Sequence, residues 1–226
     1  MPKSPDWKRT HPGYRFLRVT LGPTSHFVGR IEKKGTANVP LEGAAILAVN
    51  HLSYADPVIL GAALPRPLYF LGKSGAFKNP LIGAWFRAMG QIPVDRAAGH
   101  NDDAVTAILA HLANQRVVGI FPEGTRSRPG RVRRGKTGVA RLAALSGVPV
   151  IPIGLDTGDF WPMHATLPRL GAKIYVNVGE PMPLSLAPSD AEDKQKMRDA
   201  TDDIMERVKA LLDEAVTARE EGVRWR

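Results

Sequence analysis

At 226 residues, with 43% apolar and 23% charged side chains, the chain has the composition of one globular domain rather than of a disordered or fibrous protein. It contains no cysteine, which excludes a disulfide framework, thiol catalysis and cysteine-ligated metal. A formal charge of +9 points to an anionic partner without choosing among nucleic acid, a phosphorylated ligand and an acidic lipid surface.

Met1 to Arg18 has no continuous apolar run and no small-residue cleavage site, so a signal peptide is not expected. From Tyr14 to Arg30, Phe16, Leu17, Val19, Leu21, Phe27 and Val28 are interleaved with Arg15, Arg18, His26 and Arg30. Residues 1–35 therefore read as an amphipathic segment lying at a membrane interface, with a helix packed on the core as the competing reading. No apolar run reaches the roughly 20 residues of a spanning helix, so any membrane contact is expected to be peripheral.

Residues 36–226 are expected to form one domain. Short apolar runs predict strands at Ala44 to Val49, Pro67 to Leu71, Gln91 to Val94, Val117 to Phe121, Val148 to Gly154 and Lys173 to Val178. Between them, helical patterns run over Pro57 to Leu64, Pro80 to Met89, Asn101 to Ala113 and Thr137 to Leu145. This alternation predicts an α/β fold with a largely parallel or mixed central sheet flanked by helices, in which ligands gather at the carboxyl ends of the strands. Ser189 and Glu192 have capping-box spacing, and Met197, Ile204, Met205, Val208, Leu211, Leu212 and Val216 follow at helical intervals, so a final amphipathic helix is expected from Ser189.

Two polar clusters follow strands. Asn50 to Asp56 leaves the strand Ala44 to Val49, and a five-residue spacing would put His51 and Asp56 about 140° apart on a helix. They meet only if a turn intervenes. Pro57 favours the first helical position, placing Asp56 at the N-cap, from which it can reach back to an imidazole nitrogen and leave the other nitrogen to take a proton from an alcohol. With no cysteine and no G-x-S-x-G pattern, the attacking group is expected to come from the substrate. The bland alternative is a capping Asp56 and an unrelated polar His51. The second cluster, Glu123 to Arg128, follows Val117 to Pro122; Gly124 admits close backbone approach and Arg126 offers a fork for phosphate oxygens. Arg126 to Arg141 contains seven Lys or Arg residues and no acid, so an anion is expected nearby. Arg96 follows the strand Gln91 to Val94 at the same edge.

These residues resemble the lysophosphatidic acid (1-acylglycerol-3-phosphate) acyltransferases among the glycerolipid acyltransferases. Four blocks appear in order: N-H-x4-D at Asn50 to Asp56, a second block at Gly90 to Arg96, F-P-E-G-T-R-S at Phe121 to Ser127, and V-P-V-I-P-I at Val148 to Ile153. The resemblance implies His51 as general base, Asp56 as its partner, and Glu123, Gly124, Thr125 and Arg126 as acceptor-binding residues. It also implies that Arg96 meets the acceptor phosphate, and Lys73, in Gly72-Lys73-Ser74, is similar to a family lysine that shares this role. Pro93 departs from the aromatic or aliphatic residue usual in the second block, and the short basic N-terminus differs from the apolar anchor of many members.

The implied reaction is direct transfer of a fatty acyl group from an acyl thioester, acyl-CoA or acyl carrier protein, to the free hydroxyl of 1-acylglycerol-3-phosphate, giving phosphatidic acid, with another lysophospholipid or a glycolipid as the alternative acceptor. It requires no cofactor, and it would take place at the cytoplasmic face of an anionic membrane. Two rivals compete. Gly130 to Thr137 satisfies the P-loop pattern G-x4-G-K-T, but a P-loop must leave an apolar strand, and Thr125 to Pro129 is polar and ends in proline. A non-catalytic basic module binding nucleic acid or anionic membranes would also account for the charge, but the sequence carries no zinc spacing and no aromatic-basic motif, so no nucleic-acid partner is expected.

Overall fold

The computed structural model describes residues 29–88, 91–94, 102–127, 131–158, 160, 169 and 171–225. Seven strands form one sheet: β1 (Gly29–Lys34), β2 (Ala45–Val49), β3 (Leu68–Lys73), β4 (Gln91–Val94), β5 (Val117–Ile120), β6 (Val150–Asp156) and β7 (Ala172–Val178). The helices are α1 (Asp56–Ala63), α2 (Pro80–Ala88), α3 (Asp102–Ala113), α4 (Gly138–Ser146) and α5 (Lys194–Glu220).

The spatial order is β1-β7-β6-β2-β5-β3-β4. Strands β2 to β6 all run parallel, as their alternation with helices requires, whereas β7 pairs antiparallel to β6 and carries β1 parallel beside it. The sheet is therefore mixed. β2 lies at its centre and all five of its residues are buried. Alternation across the pleat sends Ala45, Leu47 and Val49 to one face, with Ile59, Leu60 and Leu64 from α1 and its end. Ile46 and Ala48 point to the other face, with Ile108 and Leu112 of α3, Val139 and Leu142 of α4, and Ile204 and Val208 of α5. Burial on both faces explains why β2 and β6 read as continuous apolar runs rather than alternating ones.

Three features differ from the sequence expectation. Gly29–Lys34, placed above with the N-terminal segment, is an edge strand of the sheet; its residues are mostly charged, so no apolar period marks it. The rest of the Tyr14 to Arg30 segment lies outside the described residues. The final helix begins at Lys194 rather than Ser189: Pro188–Glu192 forms a separate 3-10 turn, and the Asp193 carboxylate caps α5 by accepting the N–H groups of Gln195 and Lys196. β6 starts at Val150, just after Pro149, which has no N–H to give the ladder; the Pro149 carbonyl accepts the Ile46 N–H as the first bond between β6 and β2.

Candidate active site

At the carboxyl end of β2 the ladder is replaced by a side chain. Asn50 is fully buried, and its amide donates to the Leu155 carbonyl at 2.8 Å while its oxygen accepts the Leu155 N–H at 2.7 Å. The side chain thus imitates a peptide group toward β6 and leaves the main chain free to turn at His51.

That turn returns to α1 at Asp56, which is fully buried. Its carboxylate binds His51 Nδ1 at 2.7 Å, accepts the N–H of Leu52 at 2.7 Å and that of Ser53 at 3.0 Å, and takes the Ser53 hydroxyl at 3.1 Å. Helix α1 starts one residue earlier than Pro57 predicts, so Ala55 is the cap and Asp56 the first helical residue. Asp56 turns backward onto the loop instead of forward onto the helix amides. The buried charge is offset by four hydrogen bonds, each of the charge-assisted kind. Ser53 also accepts the Ala55 N–H, so this buried hydroxyl is committed to the turn and is no nucleophile.

With Nδ1 committed to Asp56, Nε2 is the nitrogen left for a substrate proton. The ring is held a second way: it stacks on Phe121 at 4.1 Å between centroids and 17° between planes. Phe121 stacks in turn on Phe70 at 5.3 Å. Phe70 has room because its register partner on β5 is Gly119, where a Cβ would lie 2.1 Å from the Phe70 ring. Phe121 is a residue of the site that the sequence reading did not single out; its only signal is that it opens the third block.

The third-block loop folds directly over the His51 turn. The Glu123 carboxylate accepts the His51 N–H at 2.9 Å, and the Ser127 N–H donates to the His51 carbonyl at 2.7 Å. Gly124 has φ +69°, and a Cβ there would lie 2.9 Å from the Lys136 side chain, so only glycine fits comfortably. Gly124 and Thr125 are exposed. The Arg126 guanidinium lies 4.0 Å from the centroid of the exposed Tyr54 ring, which joins the first and third blocks across the mouth of the site.

The structure thus brings together His51, Asp56, Glu123, Gly124, Thr125 and Arg126 at one edge. Lys73 closes β3 at that same edge. Gln91 to Val94 forms β4 beside β3, but Gly90 and Arg96 of the second block lie outside the described residues. The fourth block is the amino-terminal part of β6, with Ile151 and Ile153 in the core. In the P-loop-like stretch, residues 131–136 are neither strand nor helix; the Lys136 N–H is bonded to the Pro122 carbonyl at 2.8 Å.

A family model described as acyltransferase matches residues 30–156. The 1-acyl-sn-glycerol-3-phosphate acyltransferase of Borreliella burgdorferi is 29% identical over 64% of this chain and 58% of its own length. A chloroplastic 1-acyl-sn-glycerol-3-phosphate acyltransferase of Arabidopsis thaliana is 35% identical over 59% of this chain, which spans 38% of that protein. The Escherichia coli protein of the same name is 27% identical over 97% of this chain and 86% of its own length. The crystal structure of a 1-acyl-sn-glycerophosphate acyltransferase from Thermotoga maritima has the same fold, with a TM-score of 0.68 at 21% identity over 94% of this chain and 81% of that one. The family match runs from the edge strand β1 to the last residue of β6, more than half of the chain, and encloses both loops of the site: the chain belongs to the acyltransferase family.

Proposed function

We propose that the protein transfers a fatty acyl group from an acyl thioester to the free hydroxyl of 1-acylglycerol-3-phosphate, giving phosphatidic acid. The observation that carries this reading is the bond between His51 Nδ1 and the buried Asp56 carboxylate, which leaves Nε2 as a base, while the neighbouring Ser53 hydroxyl is itself taken by Asp56. The acceptor follows from the relatives' substrate and from the loop carrying Arg126, whose planar fork suits a phosphate.

In the reaction, His51 Nε2 takes the proton of the acceptor hydroxyl as its oxygen attacks the thioester carbonyl carbon. A C–O bond forms and the carbonyl becomes a tetrahedral oxyanion. As that oxyanion collapses the C–S bond breaks, and the thiolate leaves with the proton carried by His51. Asp56 stabilises the imidazolium that exists between the two transfers. No acyl-enzyme forms and no cofactor takes part; the donor, acyl-CoA or acyl carrier protein, is a co-substrate.

The acceptor is an amphiphile, so the site works at a lipid surface. Among the described residues no helix is long and apolar enough to cross a membrane. Attachment is peripheral, at the cytoplasmic face, through anionic lipid and the exposed Arg131, Arg133, Arg134 and Lys136. The test is a panel assay: purified protein, several lysophospholipids, and acyl-CoA or acyl carrier protein as donor, with products identified by mass spectrometry. Phosphatidic acid formed from 1-acylglycerol-3-phosphate in preference to other acceptors supports the reading. Thioester hydrolysis alone, or acylation of a different headgroup, refutes it.

A further inference from the structure

Glu123 occupies an unusual place for a ligand-binding residue. Only 4% of it is exposed, and three protein groups take its carboxylate oxygens. One oxygen accepts the His51 N–H at 2.9 Å; the other accepts the Arg133 N–H at 2.8 Å and the Ser127 hydroxyl. Ser127, itself buried, returns its N–H to the His51 carbonyl at 2.7 Å. Both polar atoms of the His51 main chain are thus held by the third-block loop. The other Glu123 oxygen and the Pro122 carbonyl hold the strap of residues 131–136 over it. An ionised carboxylate has about four acceptor positions. An acceptor hydroxyl donating to Glu123 would have to enter a buried site whose positions are mostly filled.

We infer that Glu123 is a positioning residue, fixing the main chain of the base His51 and anchoring the 131–136 strap, rather than a ligand of the acceptor. His51 lies in the loop between β2 and α1, where no helix or ladder hydrogen bonds fix its backbone. Its ring is set by Asp56 and Phe121, and its main chain by Glu123 and Ser127. The location of Nε2 relative to the acceptor hydroxyl depends on both pairs, and a displacement of about 1 Å at such a base costs about 10²-fold in rate.

The inference rests on the acyl-transfer reading for its kinetic consequences and on the hydrogen bonds alone for its structural one. Glu123→Ala is expected to lower kcat about 10²-fold while the acceptor KM stays within about threefold. Glu123→Gln keeps an oxygen for the His51 N–H but turns an amide toward the Arg133 N–H, so it should recover about tenfold of that loss. Ser127→Ala leaves the carboxylate in place and should lower kcat several-fold, again with KM unchanged. If Glu123→Ala fails to fold, as judged by circular dichroism, the other two variants decide. Independently of turnover, the His51 amide proton should be protected from solvent exchange in the wild type and lose that protection in Glu123→Gln or Glu123→Ala in proportion to the lost bond. A rise of about tenfold or more in acceptor KM at near wild-type kcat in Glu123→Gln, with Ser127→Ala fully active, would overturn the inference, as would unaltered His51 amide protection. Wild-type protein without transferase activity would refute the acyl-transfer reading and leave the exchange measurement to decide this one.

Discussion

The two loops at the carboxyl edge of the sheet treat their polar side chains in opposite ways. In the Asn50 to Asp56 turn, Asn50, Ser53 and Asp56 are buried and spend their hydrogen bonds on one another, on β6 or on His51. Across from it, the strap from Arg131 to Lys136 shows Arg131, Arg133, Arg134 and Lys136 to solvent. The first region fixes a geometry in advance, which is what a base must have, since proton transfer depends on fractions of an ångström. The second offers charge on long stems, which suits capture of an anion. Substitutions in the turn should therefore act on kcat or on folding, and those along the strap on KM and salt dependence.

Apart from removing the base itself, Asp56→Asn should have the largest effect. The amide preserves size but turns a donor toward His51 Nδ1 or toward the loop N–H groups, so kcat should fall about 10²-fold or more. A helix-capping role alone would tolerate asparagine well. Next comes Arg126→Ala, which should raise acceptor KM about tenfold or more and leave donor KM unchanged, because a charge-assisted bond to phosphate contributes about 1.5–3 kcal/mol. Equal effects on both substrates would assign Arg126 elsewhere.

Asn50→Ala should separate folding from chemistry. It strands the buried N–H and C=O of Leu155, each costing about 1–3 kcal/mol, so Tm should drop while acceptor KM of the remaining folded protein holds. A variant as stable as the wild type would show that β2 and β6 hold together without the amide.

The smallest effect concerns the far side of the sheet. Glu214 on α5 is bonded to Lys34 of β1 and to Asn177 of β7, and the Lys34 ammonium, then the Asn177 amide, holds its carboxyl below the ordinary glutamate value. A carboxyl lowered in this way adds stability that is present above its unfolded pKa and is lost as pH falls through the folded one. Wild-type Tm should thus lose slightly more than that of Glu214→Gln on acidification below about pH 4.3. The difference should be small, since both partners are about half exposed, and parallel Tm profiles would show that the contact adds nothing.

Much of this architecture was legible in the sequence for definite reasons. Strands β2 to β6 are buried on both faces or flanked by helices, so they appear as apolar runs with helical patterns between them. β1 gave no such signal: Arg30, Glu32, Lys33 and Lys34 dominate it, and only its pairing with β7 makes it a strand. The antiparallel turn of β7 was hidden as well, because direction leaves no mark on composition. In the site, the His51 and Asp56 contact followed from spacing and Pro57. The stacking of His51 on Phe121 and the grip of Glu123 on the His51 main chain did not, since each joins positions some seventy residues apart in the chain that meet only because β2 and β5 are neighbours in the sheet.

The most direct test of the central claim compares wild-type protein with His51→Ala in acyl transfer to 1-acylglycerol-3-phosphate, with thermal melts run on the same preparations. His51→Ala is expected to keep its Tm to within a few degrees and to lose about 10²–10⁴-fold in kcat, the usual cost of removing a general base. Wild-type turnover in the folded variant would contradict it.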